Sequence, residues 1–164
     1  MIRVLMLMAM LPIAAKAAPP GEVVQALGNA TLSGSAEVRF FGFNLYRADL
    51  WTSSDAYALS LTYKRGFSAK ELSTASIKEI ARMEDARTDL FAALEPKLRA
   101  CFANVVAGDR ITGVSMSADS ALFFYNGQQR CSISYPSFRD RFFGIWLGPE
   151  TRDPTSRDQL LGRN

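Results

Sequence analysis

The acidic residues Glu84, Asp85 and Asp89 crowd three carboxylates into a short span, and Asp109 stands directly after Gly108. Paired carboxylates can exchange protons or hold calcium, but a calcium loop needs alternating oxygen ligands and a glycine that this span lacks. It reads instead as the solvated end of a helix, and Gly108-Asp109 as a turn in which the aspartate bonds its own backbone. Arg39, Arg47 and Arg65 stand in or beside apolar stretches. Facing inward, one of them would hold an anionic ligand; facing outward, they only cover apolar surface with their stems. The 164 residues include no histidine, which excludes Ser-His-Asp and Cys-His nucleophiles, histidine zinc sites and histidine-ligated haem. Two cysteines cannot form a four-thiolate metal site. Neither metal nor cofactor is expected, and any catalysis falls to carboxylates, tyrosine, lysine or arginine.

The eleven phenylalanines are more telling, because they cluster: Phe40, Phe41 and Phe43, then Phe123-Phe124, then Phe142-Phe143. Neighbours in a strand point to opposite faces of a sheet, so one of each strand pair must leave the core side. Either a helical layer covers the second face, or an apolar cavity opens between sheet and helices. Periodicity leaves both open.

The elements that would position these residues follow from alternation and caps. Residues 23–27 read as a short strand before the Gly28-Asn29 turn, and residues 36–52 carry two further strands. In 57–63, Tyr57, Leu59, Leu61 and Tyr63 share one face and Ala58, Ser60 and Thr62 the other, the period of a half-buried strand. Residues 110–117 and 121–125 pair as a hairpin around Asp119, and Asn126-Gly127 turns the chain into a strand at 129–134. Between these, Ser68-Ala69-Lys70-Glu71 is a capping box. It opens a helix with Leu72, Ile77, Ile80 and Met83 on one side and Glu71, Lys78, Arg82 and Asp85 on the other. Leu90, Leu94, Leu98, Cys101 and Val105 form a second helical stripe, which Pro96 must kink or restart. Residues 136–147 read as a helix with Phe138, Phe142, Ile145 and Trp146 inward, and 155–161 as a last short helix. Strands, helices, strands and helices in that order give an α+β fold, an antiparallel β-sheet packed against a layer of α-helices.

Residues 1–17 have the pattern of a cleavable signal peptide: Arg3, an apolar run over 4–15, and the small-x-small site Ala15-Lys16-Ala17, with cleavage expected between Ala17 and Ala18. The run is too short for a bilayer anchor, so no transmembrane segment is expected after cleavage. Residues 18–21 form a short leader and 22–164 one domain. Export to a periplasmic or extracellular space would favour a disulfide between Cys101 and Cys131. With 48% apolar and 21% charged residues the chain is an ordinary globular one. The net charge of +3 falls to +1 without Arg3 and Lys16, too little to suggest a nucleic-acid partner.

The run Val38-Arg39-Phe40-Phe41-Gly42-Phe43-Asn44-Leu45-Tyr46-Arg47-Ala48-Asp49-Leu50-Trp51 resembles the signature of bacterial chalcone isomerase-like proteins. Leu61-Thr62-Tyr63-Lys64-Arg65, Gly108-Asp109-Arg110-Ile111-Thr112, Asn126-Gly127 and Phe142-Phe143-Gly144-Ile145-Trp146-Leu147 extend the resemblance over about residues 22–162. It implies the chalcone isomerase fold, an open-faced sandwich with an apolar cleft between sheet and helices. The plant enzymes of that fold close a flavanone ring with an arginine, a threonine, a tyrosine and an asparagine. Here Phe41 falls at the threonine, Phe67 at the tyrosine and Thr74 at the asparagine, and no arginine occurs between Glu22 and Val38. Losing such preorganised polar groups removes several kcal/mol of transition-state stabilisation, on the order of 3 kcal/mol for each donor.

The function this implies is an exported, non-catalytic protein that binds a small apolar or amphipathic ligand, such as a fatty acid, in the cleft. Its expected ligand-binding residues are Arg39, Phe41, Arg65, Phe67 and Thr74. Two other readings stay open: an isomerase or intramolecular lyase using Tyr46, Tyr63 or Tyr125 with an arginine, and an envelope protein-interaction module whose cleft is filled.

Overall fold

The computed structural model describes residues 17–163; the expected signal segment lies, but for Ala17, outside them. Six strands form one sheet, β1 (Thr31–Phe40), β2 (Phe43–Thr52), β3 (Tyr57–Tyr63), β4 (Arg110–Ser115), β5 (Ser120–Tyr125) and β6 (Gln128–Ser134). Every neighbour is antiparallel and the spatial order is the chain order. Such an order needs only hairpin returns, except between β3 and β4, where the helical segment is inserted. That segment holds α2 (Ala69–Met83) and α3 (Glu95–Cys101). Ser68 and Glu71 close the capping box at 3.1 Å and 2.7 Å, and α2 buries Ile77, Ile80 and Ala81 against the sheet.

The two faces of the sheet carry unequal cores. On the helical side, Leu59, Leu61 and Tyr63 of β3, Ile111 of β4 and Phe123 of β5 pack against α2, α3 and the segment after β6. On the back lies a smaller cluster of Val23, Trp51, Ala58, Val114 and Phe124. The Phe123-Phe124 pair therefore splits across the sheet, and both faces are covered. Ala58 and Ser60 are buried as well as Leu59 and Leu61, so β3 is buried on both faces rather than on one.

Three expected elements differ. Residues 23–27 are not a strand but the end of α1 (Gly21–Leu27), which lies on the back face with Val23 fully buried. Gly28 ends it in a left-handed conformation at φ +66, a glycine stop that on sequence looks the same as a turn between strands. The second stripe is not one helix: a 3₁₀ turn covers Thr88–Phe91, Pro96 sits in the first turn of α3, and Leu90 is exposed. Val105 lies beyond that helix, in a β-bridge with Phe67. Finally, residues 139–143 form a π-helical turn before a short α4 (Gly144–Leu147). Phe142 and Phe143 both face inward from this turn. The last helix, α5 (Pro154–Leu160), crosses β1 so closely that a Cβ on Gly34 would strike the carbonyl oxygen of Gln159.

Two ties hold the margins. Cys101 of α3 and Cys131 of β6 form a disulfide with a Cα–Cα distance of 5.4 Å. On the back face, buried Glu22 of α1 accepts from Arg110 at 2.7 Å and 3.1 Å and from Thr112 at 2.9 Å, and Thr112 bonds Ser60 at 3.0 Å. Burial pushes the Glu22 carboxyl up. The hydrogen bonds from Arg110, its own backbone and Thr112, with the Arg110 charge, outweigh this and hold it below its ordinary value of 4.5.

Two outcomes follow. Glu22→Ala should cost about 3 kcal/mol in urea unfolding, near the low end for a broken buried ion pair, because 31% of the Arg110 side chain stays exposed. The carboxyl is depressed in the folded state, so its stabilisation is complete above pH 4.5 and disappears as pH falls through the lower folded value; the wild type should lose stability over that acid range more steeply than Glu22→Ala. Reducing Cys101–Cys131, which spans 30 residues, should lower stability by about 3 to 4 kcal/mol, measured as the shift in urea midpoint with and without reductant.

Candidate functional site: the cavity between sheet and helices

An apolar cavity of about 160 Å³, open beside Ala75, lies between the helical face of the sheet and its cover. Its floor is Leu59, Leu61, Tyr63, Ile111, Gly113 and Phe123; its roof is Leu72, Ala75 and Ser76 of α2 with Phe142, Phe143, Ile145 and Trp146. Gly113 is required by close approach: a Cβ there would meet Phe123 Cε1 and Phe143 Cε1, each at 3.2 Å. The rings around this floor meet mostly edge to face. Phe123 and Phe142 stand 5.3 Å apart at 81°, and Phe142 and Trp146 5.4 Å apart at 67°. Rigid rings in such arrangements fill space less completely than branched aliphatic chains, and a cavity of about this volume with apolar walls accepts a benzene-sized body.

Few polar groups reach the cavity. Trp146 Nε1–H donates to the Tyr46 hydroxyl at 2.9 Å, which leaves the Tyr46 proton free to be donated onward. The Tyr63 hydroxyl, in a residue only 4% exposed, has no hydrogen-bond partner among the described residues. Burial pushes the Tyr46 hydroxyl up to about 12. Burial, with the neighbouring Tyr46, pushes Tyr63 further up. Both remain protonated donors at neutral pH. Glu79 is the charged residue among those lining the cavity, and it is tied to Arg82 at 2.9 Å and Arg152 at 2.6 Å.

Tyr46, Glu79, Ile145 and Trp146 also line a second, more open space of about 450 Å³, a groove running along Val38, Arg39 and Phe40 of β1 to Arg152 and Leu160. The Tyr46–Trp146 hydrogen bond thus stands between an inner apolar chamber and an outer groove. Arg39 lines that groove and makes no ion pair among the described residues. Asp153, which also lines it, is engaged at Ser156 by bonds of 2.9 Å and 2.6 Å as the cap of α5.

Of the five residues expected to bind ligand, Arg39 alone lines either space. Phe67 lies one layer away, its ring 5.9 Å from that of Tyr63. Arg65 stacks its guanidinium over Phe43 and Phe67 at 5.7 Å and 5.8 Å. Thr74 donates to Glu95 at 2.7 Å, tying α2 to the start of α3. Phe41 occupies the exposed turn between β1 and β2. Tyr46 and Tyr63, considered on sequence only as substitute catalysts, wall the cavity, whereas Tyr125 donates to Asp109 at 2.9 Å away from it. Gly113 and Ala75 were not singled out on sequence, and Trp146 was read only as an inward-facing residue of a helix and part of the family motif.

Deleting the unpartnered hydroxyl in Tyr63→Phe should leave the melting temperature unchanged or raise it, by up to about 1 kcal/mol of stability. Tyr46→Phe, which strands the Trp146 donor, should lower it by about 1 kcal/mol. Paired thermal melts read both.

Residues 32–162 match the family model described as chalcone isomerase-like. No curated protein sequence matches the chain. Among solved structures, the fold superposes on the crystal structure of an Arabidopsis thaliana fatty-acid binding protein with a TM-score of 0.65 at 10% identity. The overlap covers 82% of this chain and 88% of that one. At that identity the likeness speaks for the fold, and the family match covers most of the sequence: the chain belongs to the chalcone isomerase-like family.

Proposed function

We propose that this chain is an exported, non-catalytic protein that binds a small amphipathic molecule of the fatty-acid class. Its apolar chain would enter the cavity and its carboxylate would rest at Arg39. The observation that carries this reading is that the apolar chamber adjoins, across the Tyr46–Trp146 pair, a groove that holds a cation free of any ion pair among the described residues. The inner chamber alone is too small for a long acyl chain. The outer groove at about 450 Å³ falls within the roughly 300–1,000 Å³ of small-molecule sites, so the chain would lie in both. A carboxylate is disfavoured inside, where no cation lines the wall and burying an unpaired charge is costly.

A fatty-acid binding protein with the same fold supports the ligand class. Non-catalysis is supported by the walls themselves: two tyrosines held protonated and a glutamate already paired. The signal-like segment at 1–17 supports export, and the Cys101–Cys131 bridge suits an oxidising compartment.

Calorimetric titration with palmitate and with its methyl ester tests this. Arg39→Gln should weaken palmitate about tenfold, the loss of one partly exposed charge-assisted contact, and leave the ester unchanged. Ala75→Trp, at the exposed mouth of the cavity, should weaken both. Equal effects of Arg39→Gln on the two ligands, or no palmitate binding by the wild type, would refute the assignment. The intact mass of protein recovered from the medium or periplasm should begin at Ala18.

A further inference from the structure

The β1–β2 hairpin ends in three of the most exposed apolar side chains of the described residues: Phe40 at 61%, Phe41 at 86% and Phe43 at 64%. A scattered exposed apolar residue needs no explanation, but three rings on one hairpin tip form a patch that folding does not account for. The turn makes the point more sharply. Phe41 and Gly42 have φ of +46 and +80, the two left-handed residues of a tight hairpin turn, which favours Asn-Gly. This chain builds the same turn between β5 and β6 with Asn126 and Gly127, at φ of +47 and +87. At the β1–β2 turn a bulky phenylalanine occupies the strained position, in solvent, where asparagine would serve the fold better.

The charges beside the tip are basic. Arg39 precedes the three rings, and Lys64 and Arg65 follow β3, with the Lys64 amide bonded to the carbonyl of Leu45. All three side chains are exposed and free of ion pairs among the described residues. Arg65 lies over the Phe43 ring. The acids at this end are occupied: Glu37 by Arg47 at 3.8 Å, and Asp109 by Val106, Tyr125 and Asn126 at 2.9 Å each. Exposed rings inside a basic collar match a bilayer surface, whose apolar boundary takes aromatic side chains while anionic headgroups pair with arginine and lysine. Val38, Arg39 and Phe40 also line the groove that leads to Tyr46 and Trp146, so a tip seated in a membrane would open that groove toward the lipid.

We propose that the Phe40-Phe41-Gly42-Phe43 tip, with Lys64 and Arg65, docks this protein onto membranes that carry anionic lipid. Phe40 also lines the groove, but Phe41, Phe43, Lys64 and Arg65 line neither space, so changes at these four test the surface apart from the ligand reading.

Flotation of the purified chain with vesicles of phosphatidylcholine alone, or mixed with phosphatidylglycerol, provides the test. The wild type should float with the mixed vesicles, weakly with the neutral ones, and less as salt is raised. Phe41→Asn with Phe43→Ser should weaken flotation at least about tenfold while the melting temperature holds or rises, because asparagine suits the turn. Lys64→Gln with Arg65→Gln should weaken binding to the anionic vesicles by roughly 5-fold per cation and leave the weak neutral binding unchanged. Ala75→Trp should float like the wild type, which separates failure of docking from failure of ligand binding. Absence of flotation with mixed vesicles at low salt, or flotation untouched by the Phe41 and Phe43 changes, would overturn the proposal. A concentration-dependent dimer lost in the same variant, without vesicle binding, would assign the patch to a second copy of the chain and equally overturn it.

Discussion

Everything on the helical side of the sheet depends on one contact, the rings of Phe142 and Phe143 pressed onto Phe123 and the bare backbone of Gly113. A side chain at Gly113 would lie 3.2 Å from two of those rings, so the strand must be smooth there for the π-helical turn to reach it. Both phenylalanines point inward from that turn. From this anchor the chain continues into Ile145 and Trp146, which roof the cavity and carry the hydrogen bond to Tyr46. The cavity is a consequence of that packing. Stiff rings meeting edge to face over a glycine floor cannot collapse into the remaining space as flexible aliphatic chains would.

Covering the other face solves a different problem. An antiparallel sheet with two apolar faces needs a second lid, and here α1 supplies it with few residues. Its apolar contribution is small, and the bidentate Glu22–Arg110 pair with Thr112 and Ser60 fixes its position. The division of labour is physical: dispersion and burial hold the large helical layer, while a specific polar network locates the small one. The disulfide adds a covalent tie on the far margin, between α3 and β6.

The family match and the geometry meet at the cavity. Its walls contain tyrosine donors that stay protonated and a carboxylate that is already paired. The cation that could recognise an anionic head stands outside, at Arg39, where solvent moderates the cost of its charge. That charged groups keep to the outer groove while the inner walls are apolar follows from the expense of burying an unpaired charge.

All six strands, the capping box, the restart at Pro96 and the α+β class were legible in the sequence, because each is written in local spacing: alternation, a cap four residues long, a ring that removes a backbone donor. The absence of histidine likewise determined which chemistries could be discarded. Val23 and its neighbours misled because β-branched residues before a glycine suit a strand or a short helix equally, and only the empty back face of the sheet decided for the helix. Spacing also tells which residues share a face without telling what comes to lie opposite. For that reason Phe123 and Phe124 could be parted on sequence, but Gly113, Ala75 and Trp146 could not be brought together, and Arg39 could not be told from Arg65. Those choices belong to contacts between segments far apart in the chain, whose geometry is set when sheet and helices pack and nowhere earlier.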